Sequence, residues 1–300
     1  MTGKRYTLAC IAGHGVGPEL VAATSRAVAA ASRLHGFEVE QEFVPFGVDA
    51  LMRYGHPYPN SSRGAVLAAD VVLVAPGVDG PLDAIEAELD LRASITRVRY
   101  EGRCELSIVA PLHNEAWQWT LDRAFDIARA SRARVTLVGV PAVYEADTAA
   151  AEAAHPGFQV ERMPIGAAMS ALVTAPRHFD VVVVPPDLAT SVAAVAACTA
   201  PNRIAAWGRL AENGPSIFGT SHDDGHDHAG HGVADPAPLL LAAALTLGDG
   251  LGERSAADTL ARAVGQTRTE PRDVSTRGAT DAVLAELPRG LAFEFVREAS

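Results

Sequence analysis

Cysteine is scarce in this sequence. Its 300 residues hold three, Cys10, Cys104 and Cys198, and no Cys-x-x-Cys pair. An odd, scattered set excludes a disulfide scaffold and a zinc knuckle. Three buried thiols in a reducing compartment are expected instead. Positive charge is also short: 25 Lys and Arg stand against 36 Asp and Glu, a net charge of −11. A chain of that sign does not hold nucleic acid or an anionic membrane by electrostatics. Small molecules and other proteins are the expected partners. Long hydrophobic runs are missing too. The opening MTGKRYTLACIAGHG has no apolar signal core, and the most apolar stretch, residues 237–247, is too short to span a bilayer. The expected location is the cytoplasm. No internal repeat is visible.

What is present is core-forming material. Hydrophobic residues make up 48% of the chain and charged ones 20%, enough for two domains or one interwoven pair. Residues 6–12 form a short apolar run that stops at Gly13, which predicts a strand entering a Gly-rich turn. Pro18 then suits the first turn of a helix whose buried face carries Leu20, Val21, Thr24 and Val28. Phe37, Val39, Gln41 and Phe43 alternate, as in a half-buried strand. Residues 57–59 punctuate the chain before a short helix ending near Ala69. Apolar runs at 71–75, 135–140 and 181–184 lie far apart and are separated by helical patterns such as Leu121, Ala124, Phe125 and Ala128. That order predicts an α/β fold with a largely parallel sheet. Residues 216–235 read as one long polar loop, 236–247 as a helix apolar on all sides, and Ser255 with Asp258 as the start of another helix.

Five stretches, in order, carry a resemblance. IAGHGVGPE at 11–19 is similar to a GDGIGPE turn, with His14 in place of the aspartate. ADVVLV at 69–74 is similar to a core strand, and RAFDIA at 123–128 and PRHFDV at 176–181 to two further segments. Residues 218–236 match, without a gap, a loop reading HGSAPDIAG and then ANP. Together they resemble the isocitrate/isopropylmalate dehydrogenase family, the NAD(P)-dependent decarboxylating dehydrogenases of 2-hydroxy acids. The resemblance implies two interleaved α/β domains: 1–98 with 213–300 on the nucleotide side, and 99–212 on the dimerisation side. It also implies a homodimer. The family reaction passes a hydride to nicotinamide, uses a divalent metal to polarise the substrate oxygen, moves protons with a lysine and a tyrosine, and grips carboxylates with arginines.

Carried over residue by residue, the resemblance departs from the family at the reaction centre. Val140 stands at the lysine position. Gly166, Thr190 and Ala194 stand at the metal-carboxylate positions, with Asp187 nearby. Thr96 takes one arginine position, beside Arg97 and near Arg92, and Ala110 takes another. Only about ten residues separate Ala110 from Leu121, where the family carries its tyrosine and a dimer-clasping arm. Catalytic residues therefore stay unassigned, and a divalent metal is disfavoured because hard cations need carboxylate oxygens. The nucleotide side keeps more of the pattern. Gly13, His14, Gly15, His222, Asp224, Gly225, Asp227 and Asp235 are the expected cofactor-binding residues, and NAD is the candidate cofactor. Asp223 and Asp224 place charge near the dinucleotide, which disfavours NADP. His222, Asp224, His226, His228 and His231 offer imidazole and carboxylate ligands, but their spacing matches no closed zinc pattern.

Three functions fit this set of residues. One is a pseudoenzyme of the family, a non-catalytic or repurposed nucleotide- or small-molecule-binding protein that could pair with a related dehydrogenase subunit. Another is an NAD-dependent oxidoreductase acting on an unusual 2-hydroxy acid. The third is an enzyme running a different, metal-free reaction in the same cleft with groups such as His14 and His113.

Overall fold

A computed structural model describes residues 3–78, 82–100, 105–200, 205–220, 225–267 and 275–298. Among these residues no helix is long and apolar enough to cross a membrane. The chain divides into two compact units, Met1–Asp90 with Asn213–Ser300, and Leu91–Glu212.

The first unit opens with β1 (Arg5–Ile11), α1 (Gly17–Leu34), β2 (Glu38–Phe43), α2 (Gly47–Tyr54), α3 (Asn60–Ala68), β3 (Val71–Val74) and α4 (Leu82–Glu88). The chain then enters the second unit through β4 (Leu91–Arg99), β5 (Glu105–Pro111), α5 (Trp117–Arg129), β6 (Arg134–Val138), α6 (Glu145–Ala154), β7 (Gln159–Met163), α7 (Ile165–Thr174), β8 (Val181–Val183), α8 (Pro186–Thr199) and β9 (Ala205–Ala211). It returns to the first with β10 (Ser216–Thr220), α9 (Ala237–Leu245), α10 (Arg254–Thr267) and α11 (Thr276–Glu298). The first break falls at Asp90 because β4 pairs with β5 and β9 from its first residues onward.

In the first unit β1 lies between β2 and β3, β3 pairs with β10, and all these pairs are parallel. Leu8 to Ile11 and all four residues of β3 are buried, as strands covered on both faces must be. β2 sits at the edge, and its exposed Glu38, Glu40 and Glu42 suit that place. α1 buries Leu20, Val21, Ala27, Val28 and Ala31 along one stripe, and its charges lie off that stripe. The chain runs from β1 to one neighbour, β2, and then crosses to the other, β3. The winding reverses at β1, and open α/β sheets bind ligands at such a reversal, outside the carboxyl ends of the strands.

In the second unit β5, β8, β6 and β7 are parallel, and β4 is antiparallel to β5 and β9. Its core lies under α7 and α8 and includes Val98, Leu106, Ile108, Leu172, Phe179 and Val192. Asp180 is buried there and tied down. It accepts hydrogen bonds from the Ser131 hydroxyl at 2.8 Å and the Arg132 backbone N–H at 3.0 Å.

The structure corrects three expectations. Residues 216–220 are strand, not loop. Ile217 and Phe218 are fully buried and pair with β3, but polar neighbours hide so short an apolar run. α10 starts at Arg254, so Ser255 lies inside its first turn and does not cap it. Cys198 is exposed on α8 rather than buried. Cys10 is buried as expected, and burial pushes its thiol up to about 12, which leaves it inert at neutral pH. Cys104 lies outside the described residues.

Candidate functional site

The carboxyl ends of β1, β3 and β10 point the same way, and the Gly-His-Gly turn caps the first. Gly13 and Gly15 both adopt positive φ, at 63° and 61°. Side chains other than glycine are rare there. A Cβ on Gly13 would also lie 2.6 Å from the Gly77 carbonyl oxygen. Between the two glycines, His14 donates its backbone N–H to that oxygen at 3.0 Å and accepts from the Gly17 N–H at 3.0 Å. The turn after β1 is thereby tied to the segment after β3, and His14 is held with its imidazole half-exposed.

The segment from residue 225 to 236 folds back onto this turn. Gly225 also has positive φ, 55°, and a Cβ there would press on Val16 at 3.1 Å. A tight turn follows, in which His228 donates its N–H to the Gly225 carbonyl at 2.8 Å. His226, Asp227, His228, His231 and Asp235 are exposed. The His14 and His226 rings face each other edge to face, with centroids 6.4 Å apart. Glu19, in the first turn of α1, clamps the far end of the segment. Its carboxylate accepts from the backbone N–H groups of Gly232 at 3.2 Å and Ala234 at 3.3 Å, and from the Thr276 hydroxyl at 3.2 Å. Sequence reading gave Glu19 no role. It was visible only as the last letter of the turn motif, because its partners lie more than 200 residues away. Asp235 accepts the Ala237 N–H at 3.0 Å and so shapes the entry to α9. Of the expected cofactor residues, Gly13, His14, Gly15, Gly225, Asp227 and Asp235 are placed in this one region. His222 and Asp224 lie outside the described residues.

The positions that align with the family's reaction centre belong to the second unit. Thr96 lies on β4, paired with Ile108 and Trp207. Ala110 is buried on β5. Val140 is half-buried just after β6. Gly166 is exposed on α7, and Thr190 and Ala194 are exposed on α8, with Asp187 one turn before Thr190. Asp187 is the only carboxylate on either helix. β5 passes to α5 through residues 112–116 alone, where His113 is exposed, so no arm is inserted.

Several arginines and both tyrosines among the described residues of this unit have partners of their own. Arg97 donates to the Ser107 hydroxyl at 3.2 Å, and Arg92 pairs with Glu212 at 3.0 Å. Burial raises the Glu105 carboxyl, but Arg99 and Arg97 outweigh it and hold the group below its usual range. Tyr144 donates to Asn114 at 2.8 Å and stacks on Trp117, and Tyr100 donates to the Ala196 carbonyl. The whole chain has one lysine, Lys4. It sits in the first unit and pairs with Glu253 at 2.9 Å.

A doubly wound α/β unit with a Gly-rich turn at its winding reversal is a build that many nucleotide-binding proteins share. The model of the isocitrate/isopropylmalate dehydrogenase family matches residues 102–283, and the chain belongs to that family. A 3-isopropylmalate dehydrogenase of Streptococcus mutans is 27% identical over an alignment covering 92% of this chain and 98% of that one. One of a Synechococcus strain is 27% identical over 87% and 90%. Among solved structures, a beta-decarboxylating dehydrogenase from Thermococcus kodakarensis superposes with a TM-score of 0.82 at 21% identity, covering 97% and 98% of the two chains. The isocitrate dehydrogenase of Methylococcus capsulatus gives 0.75 at 19% identity, covering 94% and 99%. The alignment to the streptococcal protein runs over 342 positions, more than this chain has residues. The relative therefore carries segments with no counterpart here.

Proposed function

We propose that this protein has lost the metal-dependent oxidative decarboxylation of its family and acts as a nucleotide- or small-molecule-binding member, a pseudoenzyme of the dehydrogenase fold. One observation carries this reading. The only lysine in the chain, Lys4, is engaged by Glu253 in the first unit, and the resemblance puts Val140 at the position of the family's proton-transfer lysine. A local misalignment does not rescue the role, because no other lysine exists to fill it, and a second copy brings only another Lys4. The family's divalent metal fares the same way. Gly166 and Ala194 have no ligand atoms in their side chains, Thr190 is neutral, and Asp187 stands alone. A hard cation needs several carboxylate oxygens, so these residues do not fit it.

The nucleotide side fits better. Asp227 and Asp235 are exposed carboxylates suited to the hydroxyls of a ribose. From residue 210 to 253 there is no lysine or arginine, so this segment would meet a pyrophosphate with backbone N–H groups and imidazoles only. This favours NAD over NADP, whose extra phosphate the acidic loop repels. It also allows a smaller adenine nucleotide.

The same reading includes a homodimer through α7 and α8. Neither helix carries charge except Asp187, and Val173 is 60% exposed on α7. An exposed uncharged face of this kind is what one subunit offers another. A related dehydrogenase subunit is the other partner of matching shape. The relatives' names favour a second reading, an oxidoreductase acting on an unusual 2-hydroxy acid with replaced catalytic groups.

A thermal-shift screen separates a binding protein from an empty fold. NAD or an adenine nucleotide at about one hundred times its Kd stabilises by roughly 2.7 kcal/mol and raises Tm by a few degrees. Magnesium, manganese and 2-hydroxy diacids are expected to leave Tm unchanged. Stabilisation by none of the nucleotides removes the binding reading.

A further inference from the structure

The amphipathicity of α2 is inverted. Its sequence, GVDALMRY, turns two of its smallest residues, Gly47 and Ala50, into the core. Val48, Leu51 and Met52 stand outward at a spacing of three and four, which lines them up on one helical face. With Phe43 at the end of β2 and Tyr54 at the end of the helix, they are 48–82% exposed, Met52 the most. Among the described residues, five of the nine exposed large hydrophobic side chains thus fall between positions 43 and 54. The outward face of a surface helix ordinarily carries polar and charged residues. An exposed apolar cluster in their place marks a contact surface.

The helix is held in place. Its eight residues are too few to stand as a helix alone. Gly47, at φ 65°, donates its N–H to the Pro57 carbonyl at 2.8 Å, and Gly55, at φ 72°, donates to the Leu51 carbonyl at 2.9 Å. The flanking Phe46 and Tyr58 are buried and meet edge to face, with ring centroids 5.5 Å apart. The apolar face is therefore presented on a fixed frame, and little ordering remains to be lost on contact.

Charge identifies the occupant. The two charged residues of α2, Asp49 and Arg53, pair at 2.8 Å on one flank of the apolar face. They stand two residues before and two residues after Leu51. An antiparallel copy of the helix, centred on Leu51, brings Asp49 opposite the partner's Arg53 and Arg53 opposite the partner's Asp49. The partner's Leu51 then meets Leu51. Such a face is complementary to itself, as a two-fold contact requires. The helix is also electrically neutral in a chain of net charge −11, and Arg5 lies 3.7 and 3.5 Å from Glu38 and Glu40 of the preceding strand.

We infer that the outward face of α2 is a two-fold contact between copies of this chain, with Leu51 at its centre and two crossed Asp49–Arg53 ion pairs on its flank. It belongs to the first unit, uses no residue of α7 or α8, and does not rest on the nucleotide reading. The face is small by the standard of permanent interfaces. The contact is therefore weak and forms well above the concentrations at which light scattering reads an α7–α8 dimer.

The test is sedimentation velocity of the full-length protein from micromolar to near-millimolar concentration. The mass should rise to about twice its dilute value. Met52→Lys, at an outward side chain, should hold the dilute mass throughout with Tm unchanged. Asp49→Arg and Arg53→Asp should each fail to associate alone, because like charges meet across the two-fold. An equal mixture of the two should associate again, because each supplies the ions the other lacks. If the patch instead takes a different protein, or stays solvated, the unaltered protein keeps its dilute mass at every concentration, and that result overturns the inference. So does association that Met52→Lys leaves intact, or a mixture no more associated than its components.

Discussion

Glu19 shows how one side chain organises the candidate site. Its half-buried carboxylate receives two backbone N–H groups and a hydroxyl from the 232–234 and 276 positions. Removing the acceptor takes this partner from the Gly232 and Ala234 N–H groups in a partly desolvated place, while the Thr276 hydroxyl keeps the Ala234 carbonyl at 2.7 Å. Glu19→Ala is expected to cost about 1–3 kcal/mol in a denaturant titration and to open the 225–235 segment to proteolysis. Glu19→Gln, which keeps one acceptor oxygen, should fall between. Equal stability and equal protease resistance in all three proteins would mean the clamp contributes nothing. The reaction-centre residues were legible by contrast with a known pattern, since Val140 or Ala194 signals only by not being something else. The engaged state of Lys4 was not legible, because Glu253 lies 249 residues away.

At the scale of elements, the β1–turn–α1 unit is the most constrained part of the fold. Gly17 begins α1, and a Cβ there would collide with the Ala12 carbonyl oxygen and lie 2.8 Å from that of Pro76. Neither obstacle is a flexible side chain, so the backbone itself must shift. Gly17→Ala is expected to destabilise by about 3 kcal/mol or more, whereas Gly64→Ala, inside α3 with its Cβ in open space, should stabilise by about 0.5–1 kcal/mol. Comparable melting of the two variants would contradict this account.

The same unit was the easiest to read in the sequence, because an apolar run, a Gly-rich turn and a proline-started helix each signal locally. β4 and β9 were harder. In β4 the buried Leu91, Ala93 and Ile95 alternate with Arg92, Ser94 and Thr96, and a small alanine among arginines dilutes the strand signal. β10 was missed for a related reason. Its burial comes from β3 and α9, which no local window contains.

At the scale of the whole molecule, sequence and fold identify the family, while the distribution of functional groups sets this chain apart from it. The first unit keeps a formed, partly rigid loop cluster where its winding reverses. The second has the sheet and core of the fold, and the proposal puts the neutral Thr96, Val140, Gly166, Thr190 and Ala194 at the family's reactive positions. Its α7 and α8 carry no charge but that of Asp187, and the proposal gives their exposed face to a second copy. Val173→Arg together with Ala194→Arg should convert a dimer to a monomer in light scattering, because each would bury an unpaired charge. A monomer in the unaltered protein would remove the homodimer from the proposal.

The central claim concerns chemistry. Its most direct test is formation of reduced nicotinamide by the purified protein with NAD, manganese and a panel of 2-hydroxy diacids that includes 3-isopropylmalate and isocitrate. The account predicts no turnover above the protein-free rate, because it takes the lysine and the metal carboxylates, which act as a unit, to be lost together. Metal-dependent reduction of NAD with any of these substrates, abolished by chelator and restored by manganese, would contradict it.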